Sequence, residues 1–365
     1  MKHEDFMLKA LEQGRKGHPS PNPHVGAVIV KDDTIISVGH HERAGEEHAE
    51  IMALRAAGDR ARDATLYVTL EPCNHTGKTP PCTEALLAAG IKTVVFGSAD
   101  PNPHVAGGGM KRLRAAGIEV VTGVCEKACD ALIRPWQKFV TQGVPHVSLK
   151  LALSLDGRIA TKTGSSKWVT GKIARAKVHE LRARMDAVAV GIGTALADDP
   201  RLTVRTVVGV NPARIVFDTK LRLPLGGRLV ATARETPTWV ITSDETPATE
   251  HEKALVHAGV RIIRVPQSPE GRIDVRAALE ALARDNIVSL LVEGGAELAG
   301  SFLAGELADD LHAFIAPSLF GPRGRPGAVD WAGPPTPEEA PRLKTPVWEL
   351  CGEDAYVHGP IDYRR

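Results

Sequence analysis

Four residues in the first quarter of the chain have the types and spacing for metal-assisted proton chemistry: His48, Glu50, Cys73 and Cys82. In HAEIMALRAAG (His48 to Gly58) a histidine opens a helical pattern and a glutamate follows two residues on. Alone, that is an ordinary helix start, because acidic residues favour the first turn. Further along, LEPCNHTGKTPPCTEALL places Cys73 at a strand end and Cys82 at a helix start. A helix N-terminus lowers a thiol's pKa, and the thiolate is the form that binds zinc. One histidine and two cysteines make three protein donors and leave the fourth tetrahedral position to water, the catalytic arrangement. Residues i and i+2 of a helix point in different directions. Glu50 is therefore expected beside that water as a general acid/base and not on the metal. His75 is the rival, as fourth ligand of a closed structural site or as a replacement for His48. The separate element carrying His48 and Glu50 argues against the closed site.

The elements that position these residues alternate. VGAVIVK and TIISVGH flank Asp32-Asp33, a hairpin-like pair. A helix from His48, the strand TLYVTL, a helix from Cys82 to Ala89, the strand IKTVVFG, a Gly-rich turn, a short helix and the strand IEVVTG follow. The helix Glu126 to Val140 closes the unit, and Thr141 to Pro145 reads as a linker. This repetition predicts a layered α/β sheet. A second α/β set begins at HVSLKLALS, with strands in DAVAVGIG, ARIVFD, TWVIT, VRIIRV, IVSLLVEGG and LHAFIAP. Near-continuous apolar runs such as IVSLLV suit strands covered on both faces. The Pro-rich stretch from Gly321 to Pro346 reads as loop. Two domains are expected, 1–144 and 145–365.

Bulk properties exclude several classes. The 365 residues carry a net charge of +1 and only 4% aromatics. A nucleic-acid deaminase would need a basic face with aromatics to grip a strand, so no nucleic-acid partner is expected. No apolar run approaches a membrane span. MKHEDFMLKALEQG reads as an amphipathic helix and not a signal peptide, so a cytoplasmic enzyme is expected. The odd cysteine count argues against a disulfide framework. Cys125 and Cys129, four apart in a helical pattern, are expected as two small buried side chains on one face. Cys351 has no visible partner.

The cysteines are spaced C-x8-C, a longer loop than the C-x-x-C of the general zinc-deaminase signature. That long loop, with PNPHVGAVIV before it and DPNPHVAGGG after it, resembles the deaminase half of RibD, the bifunctional deaminase–reductase family of riboflavin biosynthesis. The likeness spans about the first 145 residues. It implies a cytidine-deaminase-like domain in which Asn22, His41 and Lys78 contact substrate.

In the second half, LSLDGRIA, GSSKWVT, GIGTALADDPRLTVR and VEGGAELAGSFL are each weak signals. Gly294 and Gly295 let a backbone approach a ligand, and the helix start beyond them favours phosphate. The pattern is not G-x-G-x-x-G, so a standard Rossmann site is excluded. In order and spacing, the four stretches resemble the reductase half of the same family, which implies a dihydrofolate-reductase-like fold from about Pro145 to Arg365. By that resemblance Ala152, Trp168, Thr194, Asp198, Thr219 and the run Gly295, Ala296, Glu297, Leu298, Ala299, Gly300 and Ser301 line an NADPH site. Ser166, Arg182, Leu202, Arg205 and Glu293 contact substrate. Read from the residues alone, Arg182 could be a solvated helix arginine. Arg205 suits a phosphate ester, because a guanidinium binds one bidentately.

The expected protein is a bifunctional, homo-oligomeric enzyme with one Zn2+ per chain and NADPH. Its substrate is a small phosphorylated pyrimidine. The resemblance implies deamination of 2,5-diamino-6-ribosylamino-4(3H)-pyrimidinone 5′-phosphate by zinc-activated water, then reduction of the ribosyl group to ribityl. The competing readings are a non-catalytic zinc-stapled binding protein and a nucleoside or nucleic-acid deaminase fused to an unrelated reductase.

Overall fold

The computed structural model describes residues 2–75, 80–103, 108–321 and 327–363. The chain divides into two compact units, Met1–Val144 and Pro145–Arg365.

The first unit has a five-stranded sheet in the order β2-β1-β3-β4-β5. The strands are β1 (Gly26–Lys31), β2 (Thr34–His40), β3 (Thr65–Leu70), β4 (Thr93–Ser98) and β5 (Glu119–Thr122). β1 is antiparallel to β2 and β3, while β3, β4 and β5 run parallel. Asp32 and Asp33, with φ of 49° and 56°, make the tight turn of the β1–β2 hairpin. Strand side chains alternate between faces. Ala27, Ile29, Leu66, Val68, Val94 and Phe96 meet the small faces of helices Ala49–Ala57 and Cys82–Ala88. Val28, Val30, Tyr67 and Val95 meet helix His3–Gly14 through Phe6, Met7, Ala10 and Leu11. The result is a sheet covered on both faces.

One boundary and one burial differ from expectation. The last helix is Glu126–Gln142, so Thr141 and Gln142 belong to it and not to a linker. Cys125 is its N-cap, left-handed at φ 53° and partly exposed, whereas Cys129 is fully buried. Both thiols still meet the same apolar cluster, Cys129 within it and Cys125 packed against it, so only the full burial expected of Cys125 is not found. A chain turning into a helix through a left-handed residue carries no periodic signal.

The second unit holds a ten-stranded sheet, β10-β9-β8-β7-β11-β6-β12-β15-β13, with β14 also on β15. Its strands are β6 (His146–Ser154), β7 (Ala187–Gly191), β8 (Ala213–Phe217), β9 (Thr238–Ser243), β10 (Arg261–Val265), β11 (Ser289–Val292), β12 (Asp310–Ala316), β13 (Arg342–Leu343), β14 (Val347–Cys351) and β15 (Asp354–Asp362). β6 to β12 pair in parallel and β15 lies antiparallel to β12. Chain order runs outward from β7 to β10, then returns to insert β11 between β7 and β6. That reversal opens a crevice at the carboxyl ends of these strands, the usual ligand site of open α/β sheets. The β14–β15 hairpin was not expected from the sequence. β14 is an outer strand with Trp348 and Leu350 exposed, so it lacks the apolar run of a covered strand.

Candidate functional site

In the first unit, His48 is the N-cap of helix Ala49–Ala57 and makes no capping bond with its side chain. The imidazole turns instead to the two thiols. Its Nδ1 lies 3.2 Å from Cys82 Sγ and 3.6 Å from Cys73 Sγ. These three donor atoms all lie within 4.8 Å of one another. Zinc bonds of about 2.0–2.1 Å to nitrogen and about 2.3 Å to sulfur, set tetrahedrally, space N and S roughly 3.6 Å apart. The donor set fits a zinc ion in spacing and in chemistry. Cys73 arrives at the end of β3, and its Sγ accepts the backbone N–H of Cys82 at 3.4 Å.

The thiols behave as one charge-sharing pair. Cys73 is lowered to about 4, first because the Cys82 thiol donates to it and then through His48. Cys82 is raised by that same contact and by burial. A dication shared by both holds both as thiolates. The His48 contact with Cys73 raises the imidazole in turn.

Glu50 does not join the donor cluster. It is 4% exposed, and burial raises its carboxyl above the usual range, with the charge of His48 opposing. It lines a cavity of about 210 Å³ together with Asn22, His41, His48, Cys73, His75 and Asp100, among others. Asn22 and His41 are thus on the wall: Asn22 Nδ2 is 3.0 Å from His41 Nε2, and His41 Nδ1 donates to the Glu47 carbonyl at 2.9 Å. Burial lowers His41, which keeps its ring neutral and its Nε2 an acceptor for the Asn22 amide. His75 lies on the cavity wall but outside the three-donor cluster. Lys78 falls outside the described residues.

In the second unit, the four weak stretches converge at the carboxyl ends of parallel strands. Ala152 is on β6 and pairs with Phe314 of β12. Thr194 follows β7, and a Cβ at Gly294 would sit 3.2 Å from its Oγ1. Gly295, at φ 89°, turns the chain from β11 into helix Ala296–Ala304. This φ favours glycine, because a side chain there meets its own backbone. The first intrahelical bond is from Ala299 N–H to Gly295 O, so the N–H groups of Ala296, Glu297 and Leu298 have no partner inside the helix. That strand–Gly-Gly–helix start fits the pyrophosphate of a dinucleotide. Leu298, Ala299 and Gly300 are buried in the helix body, with Gly300 seated on the Asp330 carbonyl; Ser301 Oγ donates to the Glu297 carbonyl.

Asp198 accepts Ser166 Oγ at 2.8 Å, and its carbonyl accepts Lys167 Nζ at 2.8 Å. Trp168 is 69% exposed with the Arg175 guanidinium 4.4 Å above its ring. The Thr219 carbonyl, past the end of β8, accepts the hydroxyls of Thr242 and Thr246. Arg182 is not a solvated helix residue. It is buried and grips Glu293 with Nε and Nη2 at 2.5 and 2.8 Å, while Nη1 donates to the Thr203 carbonyl at 3.0 Å. Arg205 is exposed and donates to that same carbonyl at 3.1 Å. Burial and the charge of Arg182 lower Arg205. Leu202 is buried at φ 54°, so only its backbone is available to a ligand.

Sequence reasoning missed Lys150. It is the one charge in the apolar run of β6, and its Nζ lies 4.0 Å from Glu293 Oε2 with the side chain 15% exposed. A charge inside a strand covered on both faces was the available signal.

The family described as "RibD C-terminal domain" matches residues 145–357. The one described as "Cytidine and deoxycytidylate deaminase zinc-binding region" matches residues 1–98. A RibD protein of Aquifex aeolicus is 43% identical over 95% of this chain and 95% of its own length. The chain belongs to the RibD family. The Escherichia coli member is 40% identical, over 98% of this chain and 99% of its own. Among solved structures, Acinetobacter baumannii RibD aligns with a TM-score of 0.87 at 38% identity, covering 98% of each chain. A Thermotoga maritima protein described as a diaminohydroxyphosphoribosylaminopyrimidine deaminase/5-amino-6-(5-phosphoribosylamino)uracil reductase aligns at 0.83, with 38% identity and 98% and 97% coverage. Membership in this family makes the chain a bifunctional deaminase and reductase of riboflavin biosynthesis, with a cytidine-deaminase-like domain before a RibD reductase domain. Zinc and NADPH are its cofactors. No helix among the described residues is long and apolar enough to cross a membrane.

Proposed function

We propose that residues 1–144 deaminate 2,5-diamino-6-ribosylamino-4(3H)-pyrimidinone 5′-phosphate and that residues 145–365 reduce its ribosyl group to ribityl. The observation that carries the first half is the buried Glu50 carboxyl in one cavity with the His48, Cys73 and Cys82 donors.

His48, Cys73 and Cys82 would hold the zinc. Bound there, zinc supplies a water acidified to a pKa of about 7. The carboxyl of Glu50, raised by burial, is suited both to take a proton and to return it. It accepts the proton of the attacking water as the C2–O bond forms and hands protons to the amine as the C2–N bond breaks, so that ammonia leaves. Asn22 and His41 orient the ring from the opposite wall. Lys78 remains in the proposal as a substrate contact.

In the reductase, Ala152, Trp168, Thr194, Asp198, Thr219 and Gly295 to Ser301 would bind NADPH, with the helix start taking its pyrophosphate. The cofactor supplies hydride to C1′ of the sugar. Arg182 fixes the Glu293 carboxylate, and Lys150 adds a second cation beside it. Ser166, Arg182, Glu293 and the Leu202 backbone orient the substrate, and Arg205 takes its phosphate. A cytoplasmic homo-oligomer is part of the proposal; the exposed Trp348 and Leu350 on β14 support association.

The test is direct. Zinc-loaded protein given the pyrimidine substrate should release ammonia without NADPH, and then oxidise NADPH when it is added. Ammonia release without any subsequent oxidation would leave the reductase half of the proposal unsupported.

A further inference from the structure

Glu71 has no part in the chemistry above, yet it is 5% exposed and lines the deaminase cavity. A carboxylate that deep is costly unless its lone pairs are taken. Both oxygens are. Oε1 accepts the Met110 N–H at 2.8 Å and Oε2 faces the Asp100 N–H at 3.4 Å. Asp100 and Asn102 are cavity wall, and Asp100 Oδ1 accepts the Asn102 N–H at 2.8 Å. Met110 is in the first turn of helix Gly108–Ala115. A Cβ at Gly109 would stand 1.9 Å from the Pro72 carbonyl oxygen, so that turn lies directly on the Glu71–Pro72 backbone. The Glu71 main chain is itself fixed, its N–H donating to Ser98 O at 2.9 Å.

We propose that Glu71 is a positioning residue for deamination. Its carboxylate ties the substrate-facing stretch Asp100–Asn102 and the first turn of helix Gly108–Ala115 to the strand end that delivers Cys73. The inference rests on the deaminase reading of this cavity. Both partners are backbone donors, so the site calls for an acceptor at each oxygen. A carboxylate provides two; a carboxamide provides one acceptor and one donor. In Glu71→Gln the amide oxygen takes the closer partner, Met110, and the NH2 group faces the Asp100 N–H. Two donors then oppose each other and Asp100–Asn102 shifts from the cavity wall. The metal donors keep their own supports, since Thr83 N–H donates to the Cys73 carbonyl and Cys82 N–H to the Cys73 sulfur.

The experiment measures zinc content, deaminase kcat and KM, and reductase activity on the full chain for wild type, Glu71→Gln and Glu71→Asp. Expected for Glu71→Gln is full zinc, unchanged reduction, and a deaminase KM raised roughly tenfold or more, the loss of one charge-assisted bond, with kcat much less affected. Glu71→Asp keeps two acceptors on a shorter stem, so it should show a smaller KM rise and decides the matter if the Gln variant does not accumulate. Wild-type KM in both variants overturns the proposal. So does zinc loss in step with activity, which would make Glu71 a support of the metal site alone. A wild-type chain that releases no ammonia would instead sink the deaminase reading itself.

Discussion

Arg182 and Glu293, 111 positions apart in sequence, close a two-pronged ion pair with side chains 11% and 5% exposed. Burial alone would raise the Glu293 carboxyl, but the Arg182 guanidinium prevails and holds it below the usual range. A carboxylate lowered on folding contributes stability above its unfolded pKa, about 4.3, and that stability is lost as pH falls through the lowered folded value. Arg182→Ala leaves Glu293 buried without its hydrogen-bonded partner, facing Lys150 at 4.0 Å. Removing one partner of such a pair costs about 3–5 kcal/mol. The reductase unit of this variant should melt earlier at pH 7 than the wild type. The gap should narrow at acid pH, as pH falls below the unfolded carboxylate value of about 4.3 and on through the lowered folded value, where Glu293 takes up a proton. Calorimetry at both pH values checks this, and an equal gap at both would show that the ion pair is not the cause.

The metal prediction is compositional. His48→Ala, Cys73→Ser and Cys82→Ser should each lose bound zinc, while His75→Ala, Cys125→Ser, Cys129→Ser and Cys351→Ser should keep one zinc per chain. Chelation should stop ammonia release and spare NADPH oxidation, because the donors belong to the first unit only. If His75→Ala strips the metal and His48→Ala does not, the ligand set is wrong.

Much of this site was legible because it is local. Cys73 and Cys82 flank one loop, and His48 and Glu50 share one helix start, so residue type and spacing sufficed. Glu71 was invisible for the opposite reason: its partners are backbone groups 29 and 39 residues away, and backbone donors leave no trace in sequence. Arg182 was ambiguous on the same ground, since its helix pattern does not reveal a carboxylate on β11's far end. The β14–β15 hairpin escaped because an outer strand with exposed Trp348 and Leu350 mimics a loop.

Gly295 offers a backbone test of the cofactor site. At φ 89°, alanine would be strained by about 1–3 kcal/mol. Relief of that strain re-aims the Ala296 and Glu297 N–H groups. Gly295→Ala should therefore raise the NADPH Kd about tenfold or more, by roughly the fold-change such strain implies, in a fluorescence titration, while zinc content and deamination stay as in wild type. Unchanged NADPH affinity would remove this helix start from the cofactor site.

Arg205 carries the phosphate prediction. It shares the Thr203 carbonyl with Arg182 and is the exposed one of the two. A charge-assisted contact is worth roughly 1.5–3 kcal/mol, so Arg205→Ala should lower reductase kcat/KM about 10–150-fold and leave deamination alone. Wild type should prefer phosphorylated over dephosphorylated substrate, and the variant should lose most of that preference. A variant with the full preference would return Arg205 to the solvent surface.

The central claim is that Glu50 moves protons without holding the metal, and one variant tests it. Glu50→Gln keeps the size of the side chain and removes its ability to carry a proton. Zinc, ammonia release and NADPH-dependent reduction of already deaminated substrate should be measured on the same preparation. The account predicts one zinc per chain, a deamination rate down by at least about 10²–10⁴-fold, and undiminished reduction. Loss of zinc together with deamination, or deamination near the wild-type rate, would contradict it.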